Sequence, residues 1–342
     1  MTTLKTIKML EFQWLMQDPF LFCAHHEDKY PEGTDNQGPA MPLSRRNLGQ
    51  DFDLSNDWKM YHGHEVPGFP EHPHRGFETV TVVLEGIVDH FDSRGAAGRY
   101  GNGDVQWMTA GSGMQHAEMF PLIHKDKPNP LHLFQIWLNL PKKNKFVKPH
   151  YKMLWNEQIP IVTSLDDNNK TSSIRLIAGQ YEGVKAPKPA PDSWAADPEN
   201  HLEIWLVTME AGASLDLSET LEAVNRSIYF YEGSQLTINT EVLDGNHQAF
   251  MSSQPLHIVN GKDKAQFLYL QARPIQEPVV QYGPFVMNTR EEIKQAYADY
   301  QETHFGGWPW DRSDPTHHRS KGRFAIYDDG RKEFPVEDKE VE

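Results

Sequence analysis

Apolar residues recur in short stretches along the whole chain, and most stretches are rich in β-branched or aromatic residues and end near Gly, Pro or Asn. Short strands punctuated by turn residues are typical of antiparallel sandwiches and barrels. The pattern therefore predicts a mainly β protein. The stretches are TVTVVLEG, VQWMTAG, LHLFQIWLNLP, SIRLIAG, LEIWLVTM, SIYFYEG and FLYLQARP.

One helix is predicted near the C-terminal end. Thr289 is followed three residues later by Glu292, which is the spacing of a capping box. The residues that follow form one apolar helical stripe, which we expect to dock on the outside of a barrel. Beyond it, the last forty residues show little periodicity and predict an extended, partly disordered tail with an acidic end, EDKEVE. The stripe is Ile293, Ala296, Tyr297 and Tyr300.

The length of the chain and an internal echo both indicate two copies of one β-domain. The chain has 342 residues, which favours two domains. Val82–Gly86 reads VVLEG and Tyr229–Gly233 reads YFYEG, in each case an apolar strand entering a Glu-Gly turn. We therefore predict an N-terminal barrel over residues 1–150, a C-terminal barrel over residues 151–288, and a helix with a tail over residues 289–342.

Charge and cysteine content exclude several classes of function. The net charge is −15, so the surface should repel phosphate backbones and anionic lipid, and we expect no direct nucleic-acid binding. Cys23 is the single cysteine, which rules out an intramolecular disulfide and a cysteine-based metal cluster. We find no secretory signal and no apolar run long enough to cross a membrane. The expectation is a cytoplasmic, monomeric protein without membrane contact.

The segment PGFPEHPHRGFETVTVVLEG contains a pair of histidines with strand spacing. Side chains at i and i+2 of a strand point to the same face, so His72 and His74 should project together. If the strand continues, Gly76, Glu78 and the even-numbered residues after it share that inward face. A single His-x-His is more often a surface or hydrogen-bonded pair than a metal site.

A second pair strengthens the metal hypothesis. DVQWMTAGSGMQHAEMF predicts a strand, a Gly-Ser-Gly turn, and then His116 and Glu118 at i and i+2. Three imidazoles and a carboxylate suit Fe(II), Mn(II), Ni(II), Cu(II) or Zn(II), whereas Ca²⁺ or Mg²⁺ would require more oxygen ligands. Upstream, His62 and His64 form another His-x-His without a carboxylate pair, and we interpret them as residues that support the site and do not bind the metal.

Four ordered motifs resemble the pirin family of the cupin superfamily: HPHRGFETVTVVLEG, GDVQWMTAGSGMQHAEM, LHLFQIWLNLP and QYGPFVMNTREEI. The resemblance covers roughly residues 10–302. It implies a bicupin, two tandem jelly-roll-like β-barrels with one metal, usually iron, in the N-terminal barrel. The family's ligands carry over onto His72, His74, His116 and Glu118. Glu78, the position of the carboxylate ligand in many other cupins, is then expected to orient an imidazole.

The second barrel is expected to lack a metal. Counting 147 residues forward from the first motif reaches Glu219, Leu221 and Asn225, so no histidine pair stands there. This agrees with the resemblance, which implies ligands in the first barrel only.

The resemblance implies two functions of different kinds. One is a quercetin 2,3-dioxygenase-like oxidoreductase, in which an open metal position activates a flavonol-like aromatic substrate for dioxygen and Glu118 assists catalysis. The other is a non-catalytic, iron-dependent regulator that acts on a protein partner, such as a transcription cofactor or a regulator of a metabolic enzyme. Val80, Val82, Met114 and Phe120 could line the mouth of the site, although we favour core packing for most of them.

Overall fold

The computed structural model describes residues 3–335. Over this range the chain forms 27 β-strands and one α-helix, so the mainly β prediction is confirmed. The described range contains no helix that is both long and apolar enough to span a membrane. The elements are β1 (Leu4–Met9), β2 (Gln13–Leu15), β3 (Phe20–Tyr30), β4 (Gly68–His74), β5 (Phe77–Glu85), β6 (Ile87–Asp92), β7 (Ala97–Gly101), β8 (Val105–Thr109), β9 (Met114–Met119), β10 (Asn129–Asn139), β11 (His150–Leu154), β12 (Ile161–Leu165), β13 (Thr171–Ala178), β14 (Gln180–Tyr181), β15 (Val184–Lys185), β16 (Glu203–Met209), β17 (Ser214–Leu217), β18 (Asn225–Glu232), β19 (Gln235–Ile238), β20 (Glu241–Asp244), β21 (His247–Met251), β22 (Leu256–Asn260), β23 (Ala265–Ala272), β24 (Val280–Tyr282), β25 (Phe285–Met287), α1 (Arg290–Thr303), β26 (Phe324–Ile326) and β27 (Lys332–Glu333).

Two compact units make up the chain, and each is discontinuous in sequence. The first barrel comprises Ala24–Glu157 and the chain from Glu277 onward, and the second barrel comprises Gln158–Gln276 and the N-terminal segment through Cys23. The predicted boundaries at 150 and 288 divide the chain into continuous blocks and differ from this division at both ends. Strand pairing is the reason, because β1 pairs with β21 of the second barrel and β26 pairs with β7 of the first.

In the first barrel, two sheets provide the framework for the site. One runs β11-β8-β5-β10-β3, and the other runs β27-β26-β7-β6-β9-β4. The strands that carry the predicted ligands, β4 and β9, are antiparallel neighbours in the second of these sheets. The two motifs are separated in sequence, but the sheet places them side by side.

The second barrel repeats this topology. Its smaller sheet runs β17-β22-β19-β20, in the same order as β4-β9-β6-β7, and its larger sheet runs β1-β21-β18-β23-β16-β13-β12. The VVLEG and YFYEG segments end the equivalent strands β5 and β18, each followed by a hairpin. The internal echo therefore marks a true structural repeat.

The inward residues of the equivalent strand pair β17–β22 are apolar. All four lie in the buried core of the second barrel. They stand where β4 and β9 of the first barrel carry imidazoles, so the inward face of this strand pair offers no metal ligands. Glu219 and Leu221, reached by counting along the sequence, lie exposed in the loop after β17. The four core residues are Leu215, Leu217, Leu256 and Ile258.

Helix α1 begins as predicted. Thr289 caps it through its side chain, and Glu292 completes the capping box by accepting from the backbone N–H of Thr289. Its buried residues Ile293 and Ala296 pack with Phe285 and Met287 of β25. The predicted apolar stripe therefore docks on the β24–β25 hairpin.

The C-terminal tail is more ordered than predicted over its described part. β26 extends the sheet of the first barrel by pairing with β7, where Phe324 stands opposite Arg99. The buried Arg99 binds Asp89 with two hydrogen bonds and also donates to the backbone carbonyls of His317 and Lys321. Buried polar contacts thus hold a segment whose sequence lacks periodicity. The acidic end, EDKEVE, lies outside the described residues.

Candidate metal centre

Three of the predicted ligand side chains meet in the first barrel. His72 of β4 stands opposite His116 of β9 in the strand register, and His74 follows two residues later on the same face. The ring centroids of His72 and His116 are 4.4 Å apart, and His74 lies 4.8 and 4.9 Å from them. The ligand nitrogens all lie within 4.8 Å of one another. The three imidazoles therefore surround one point.

Backbone carbonyls orient two of these rings. Nδ1 of His72 lies 2.8 Å from the carbonyl oxygen of Pro70, and Nδ1 of His74 lies 3.4 Å from that of Pro284. A ring that donates from Nδ1 keeps the lone pair on Nε2, which is the arrangement of a metal-ligating histidine. Pro284 belongs to the QYGPF motif, so this motif has a role in holding His74.

The nitrogens that face the centre fit a metal ion. Nε2 of His74 and both ring nitrogens of His116 are buried and have no hydrogen-bond partner among the described residues. Buried polar atoms are usually paired, so such a cluster calls for a ligand. Burial lowers the pKa of His72 to about 4 and lowers the pKa of His74 and His116 well below the ordinary value. All three imidazoles are therefore neutral at pH 7 and can donate a lone pair.

Arg75 fixes the segment that carries the His-x-His pair. Its Nε donates to the carbonyl of Ser112 in the Gly-Ser-Gly turn, and Nη1 donates to Asp299 of α1. A Cβ on Gly113 would lie 2.7 Å from the ring of Phe305, so glycine is required there, all the more because its φ is +127°. The turn that leads into β9 is therefore held by contacts on both sides.

Glu118 lies beside the three imidazoles and outside their mutual cluster. Its Oε2 is 3.9 Å from Nε2 of His116 and accepts a 2.6 Å hydrogen bond from Gln135, while Oε1 accepts from Thr81 and Tyr100. Burial raises the pKa of Glu118 above its usual value, and the nearby His90 opposes this shift. A carboxyl group of raised pKa next to three neutral imidazoles can bind a cation or accept a proton.

Glu78 does not share the face of the histidines, contrary to the prediction from alternation. The side chain of Thr81 on β5 reaches Glu118, so the odd-numbered residues of β5 face the site. The hydrogen bond of Thr109 to Glu78 lies on the other face. The reason is Gly76, whose φ of +85° interrupts the strand and lets the chain cross from one sheet to the other. The alternation of side chains between the two faces of a strand does not continue across such a break.

His62 and His64 lie at the surface. Nδ1 of His62 is 2.6 Å from the carbonyl of Gly49, and its ring packs edge-on against Phe69, which also neighbours His72. The charge of His62 contributes to lowering the pKa of His72. His62 thus influences the site from its periphery, and the ring of His64 lies against Gly49.

Two of the apolar residues considered for the mouth of the site are excluded by strand geometry. Val80 and Val82 share the face of Glu78 on β5 and point away from the imidazoles. Met114 packs with Met108 and Ala110 in a small buried cluster, in agreement with the core interpretation. The rings that adjoin the site are Phe77 and Trp137, which stack 4.0 Å apart and both contact His74 edge-on.

Sequence reasoning missed several residues around Glu118. Trp137 donates from Nε1 to Oε1 of Gln135, which leaves the amide nitrogen of Gln135 directed at Glu118. His90 is buried, with its ring centroid 5.6 Å from that of His116 and Nε2 3.3 Å from Asp92. A polar residue inside the apolar strand LHLFQIWLNLP was the available signal for Gln135. No comparable signal pointed to His90, because a lone histidine in a strand does not indicate a functional site.

Comparison with known proteins matches both barrels. The family model for pirin matches residues 4–138, and the model for the pirin C-terminal cupin domain matches residues 204–306. Human pirin is 34% identical over 259 residues, which cover 72% of this chain and 80% of that protein. A Pseudomonas aeruginosa protein named as a candidate quercetin 2,3-dioxygenase is 36% identical over 239 residues, covering 70% of this chain and 79% of that protein.

A solved structure shows the same fold. The crystal structure of a quercetin 2,3-dioxygenase from Acinetobacter baumannii superposes with a TM-score of 0.69 at 27% identity, and the match covers 89% of this chain and 98% of that one. The sequence matches and the shared two-barrel architecture lead to one conclusion. The chain belongs to the pirin family.

Proposed function

We propose that the first barrel is a metal-dependent dioxygenase that opens a flavonol-like aromatic ring with dioxygen. The observation that carries the proposal is the convergence of three neutral imidazoles, with inward nitrogens of His74 and His116 that lack hydrogen-bond partners among the described residues. Similarity to proteins named for quercetin 2,3-dioxygenation supports the substrate class.

His72, His74 and His116 would hold one divalent ion, and we propose Glu118 as the fourth ligand. Three nitrogens and a carboxylate oxygen suit Fe(II), Ni, Cu, Mn or Zn, and we expect iron(II). When bound, the ion supplies Lewis acidity toward a substrate hydroxyl and, for a redox-active metal, reactivity with dioxygen.

The chain supplies a positioned proton acceptor. In the proposed reaction, the carboxylate of Glu118 takes the proton of the substrate hydroxyl that is activated at the centre. Gln135 holds the carboxylate in place through Oε2, and Trp137 in turn fixes the orientation of the Gln135 amide. A neighbouring cation would favour the charged form of this buried carboxylate, which is the form that can accept a proton.

The solvent exposure of the site residues indicates the direction from which a substrate would reach the centre. His72 and Gln135 are partly exposed, whereas His74, His116 and Glu118 are buried. An aromatic substrate would therefore approach past His72 and Gln135, with water excluded from the inner side. Exclusion of water strengthens electrostatic interactions with the reacting hydroxyl.

The test begins with elemental analysis of the purified protein and then follows loss of quercetin absorbance together with oxygen uptake on the identified metal. We expect His74→Ala to lose both the metal and turnover. We expect Glu118→Gln to lower turnover by roughly 10²- to 10⁴-fold, with metal still held by the histidines. His257→Ala changes an exposed histidine of the second barrel and serves as the matched control.

Two outcomes would count against the proposal. Full turnover in His74→Ala would show that the centre does not carry the reaction. If no metal supports turnover while His116→Ala abolishes binding to a protein partner, the centre acts in regulation and not in catalysis.

A further inference from the structure

The second barrel contains a cavity that the metal centre does not explain. Its volume is about 390 Å³, within the range of roughly 300–1,000 Å³ for small-molecule sites. Three neighbouring strands, β16, β23 and β18, supply five of its lining residues. The residues that carry the argument are Tyr181, Glu203, Trp205, Arg226, Tyr269 and Gln271.

Arg226 is a buried cation in this cavity, and no carboxylate of the described residues forms an ion pair with it. It is 1% exposed, and it donates to the hydroxyl of Tyr269 and to the backbone carbonyls of Gln254 and Ser218. Each of these acceptors is neutral. A guanidinium has five N–H groups, so two remain available for a further acceptor. Burying a cation without a counter-charge is costly, and an anionic ligand would offset that cost.

Glu203 is a carboxyl group in the same cavity without a hydrogen-bond donor among the described residues. It stands opposite Gln271, which stands opposite Arg226 on the far side of the same strand. One intervening strand separates the two charged residues by roughly 10 Å at the backbone. Burial raises the pKa of Glu203 to about 8, and the charge of Arg226 opposes the shift. The two groups therefore face one space without forming an ion pair.

Aromatic rings form part of the remaining wall, beside polar residues that include Gln180, Ser218 and Thr220, and exposed acidic residues lie at the rim. Trp205 and Tyr269 stack with centroids 4.6 Å apart, and Tyr181 meets Trp205 edge-on. The indole N–H of Trp205 is buried and has no acceptor among the described residues. Exposed Asp216 and Glu219 lie at the rim. A negative rim disfavours a simple anion and favours a ligand that also carries a positive charge.

We propose that this cavity binds a free aromatic α-amino acid, whose carboxylate pairs with Arg226 and whose ammonium pairs with Glu203, which releases its proton to solvent as the ligand binds. One carbon separates the two charges of such a ligand, so a single head group can fill the gap between these side chains. The ring of the ligand packs against the Trp205 and Tyr269 wall. The inference concerns the second barrel alone and does not depend on the reaction proposed for the first.

Calorimetry on the full-length protein with three matched probes tests the proposal. L-phenylalanine has both charges, 3-phenylpropanoate lacks the amine, and 2-phenylethylamine lacks the carboxylate. We expect L-phenylalanine to bind and each analogue to bind roughly tenfold more weakly or worse, because each loses one charge-assisted contact. Equal binding of 3-phenylpropanoate, or no binding of L-phenylalanine at millimolar concentration, would overturn the proposal.

Two variants test whether L-phenylalanine binds at Glu203 and Arg226. Glu203→Gln should weaken L-phenylalanine at least tenfold and leave 3-phenylpropanoate unchanged, whereas Arg226→Lys should weaken both. Arg226 also supports the fold, so thermal unfolding must accompany that variant. Glu203 accepts no hydrogen bond from the described residues, so its variant should fold normally. Glu222→Gln, on the exposed surface of the same barrel, is the control. Unchanged affinity in Glu203→Gln would refute the assignment.

Discussion

Glu203 makes the stability of the protein depend on pH in a direction opposite to that of most carboxylates. Burial raises its pKa from 4.5 to about 8 in the folded protein. Between these values the unfolded chain has released the proton while the folded chain keeps it. Stability from this group is fully present below pH 4.5 and is lost as the pH rises through about 8. Replacing Glu203 by Gln removes the titration.

The size of the effect follows from the pKa difference. The interval from 4.5 to about 8 spans about 3.5 pH units, and each corresponds to about 1.36 kcal/mol, which sets a ceiling near 4.8 kcal/mol. Glu203 is partly exposed, and solvent screening reduces this ceiling. We compare the free energy of unfolding of Glu203→Gln with that of the unmodified protein. We expect this difference to rise by about 2 kcal/mol in favour of the variant as the pH increases from 4.5 to 8.

Equilibrium unfolding in urea measures this difference. Curves for both proteins at half-unit intervals from pH 4.5 to pH 8 give the difference directly, and other titrating groups cancel because both proteins share them. Glu222→Gln, a substitution at an exposed position of the same barrel, serves as the control. If the difference in free energy of unfolding between Glu203→Gln and the unmodified protein does not change with pH, the carboxyl group ionises normally in the folded state and the reasoning fails.

Three further predictions concern other parts of the fold. Arg99→Met should lower the free energy of unfolding by about 3–5 kcal/mol, because it leaves Asp89 buried without its cation; a loss below 1 kcal/mol in urea would contradict this. Thr289→Ala should cost about 1 kcal/mol by removing the helix cap, seen as a lower Tm that Thr289→Ser largely restores. Trp137→Phe should retain the metal but lower turnover by roughly tenfold, because Gln135 loses its orienting donor; unchanged kcat would argue against this relay.

The two pairs of site residues were predictable because each depends on local spacing, whereas their convergence also requires the pairing of β4 with β9. His72 and His74 share a strand, as do His116 and Glu118, and alternation places each pair on one face. The prediction that Glu78 shares the face of the histidines was wrong for a local reason. Treating His72 to Leu84 as one strand ignores Gly76, whose positive φ separates two strands of different sheets. A glycine directly before the strand was the signal available in the sequence.

The composition of each compact unit was not predictable from sequence blocks. β1 joins the second barrel through pairing with β21, with Leu4 opposite Met251, and β26 joins the first barrel through β7. Edge strands of this kind are selected by distant partners, so neither periodicity nor composition near residue 4 or residue 324 reveals them. The number of domains, in contrast, was expected from the chain length and the internal echo, and both indicated two barrels.

The two barrels show how one topology can carry two kinds of site. In the first barrel the strand pair β4–β9 carries His72 and His116, and in the second the equivalent pair carries Leu215 and Ile258 in a close-packed core. Apolar substitution at those positions removes metal ligands and adds buried area, so it stabilises the second barrel. Charged groups persist on other strands of that barrel, where Arg226 donates to Tyr269 and to two backbone carbonyls and also lines the cavity. A ligand that carries a negative charge would offset the cost of burying this cation.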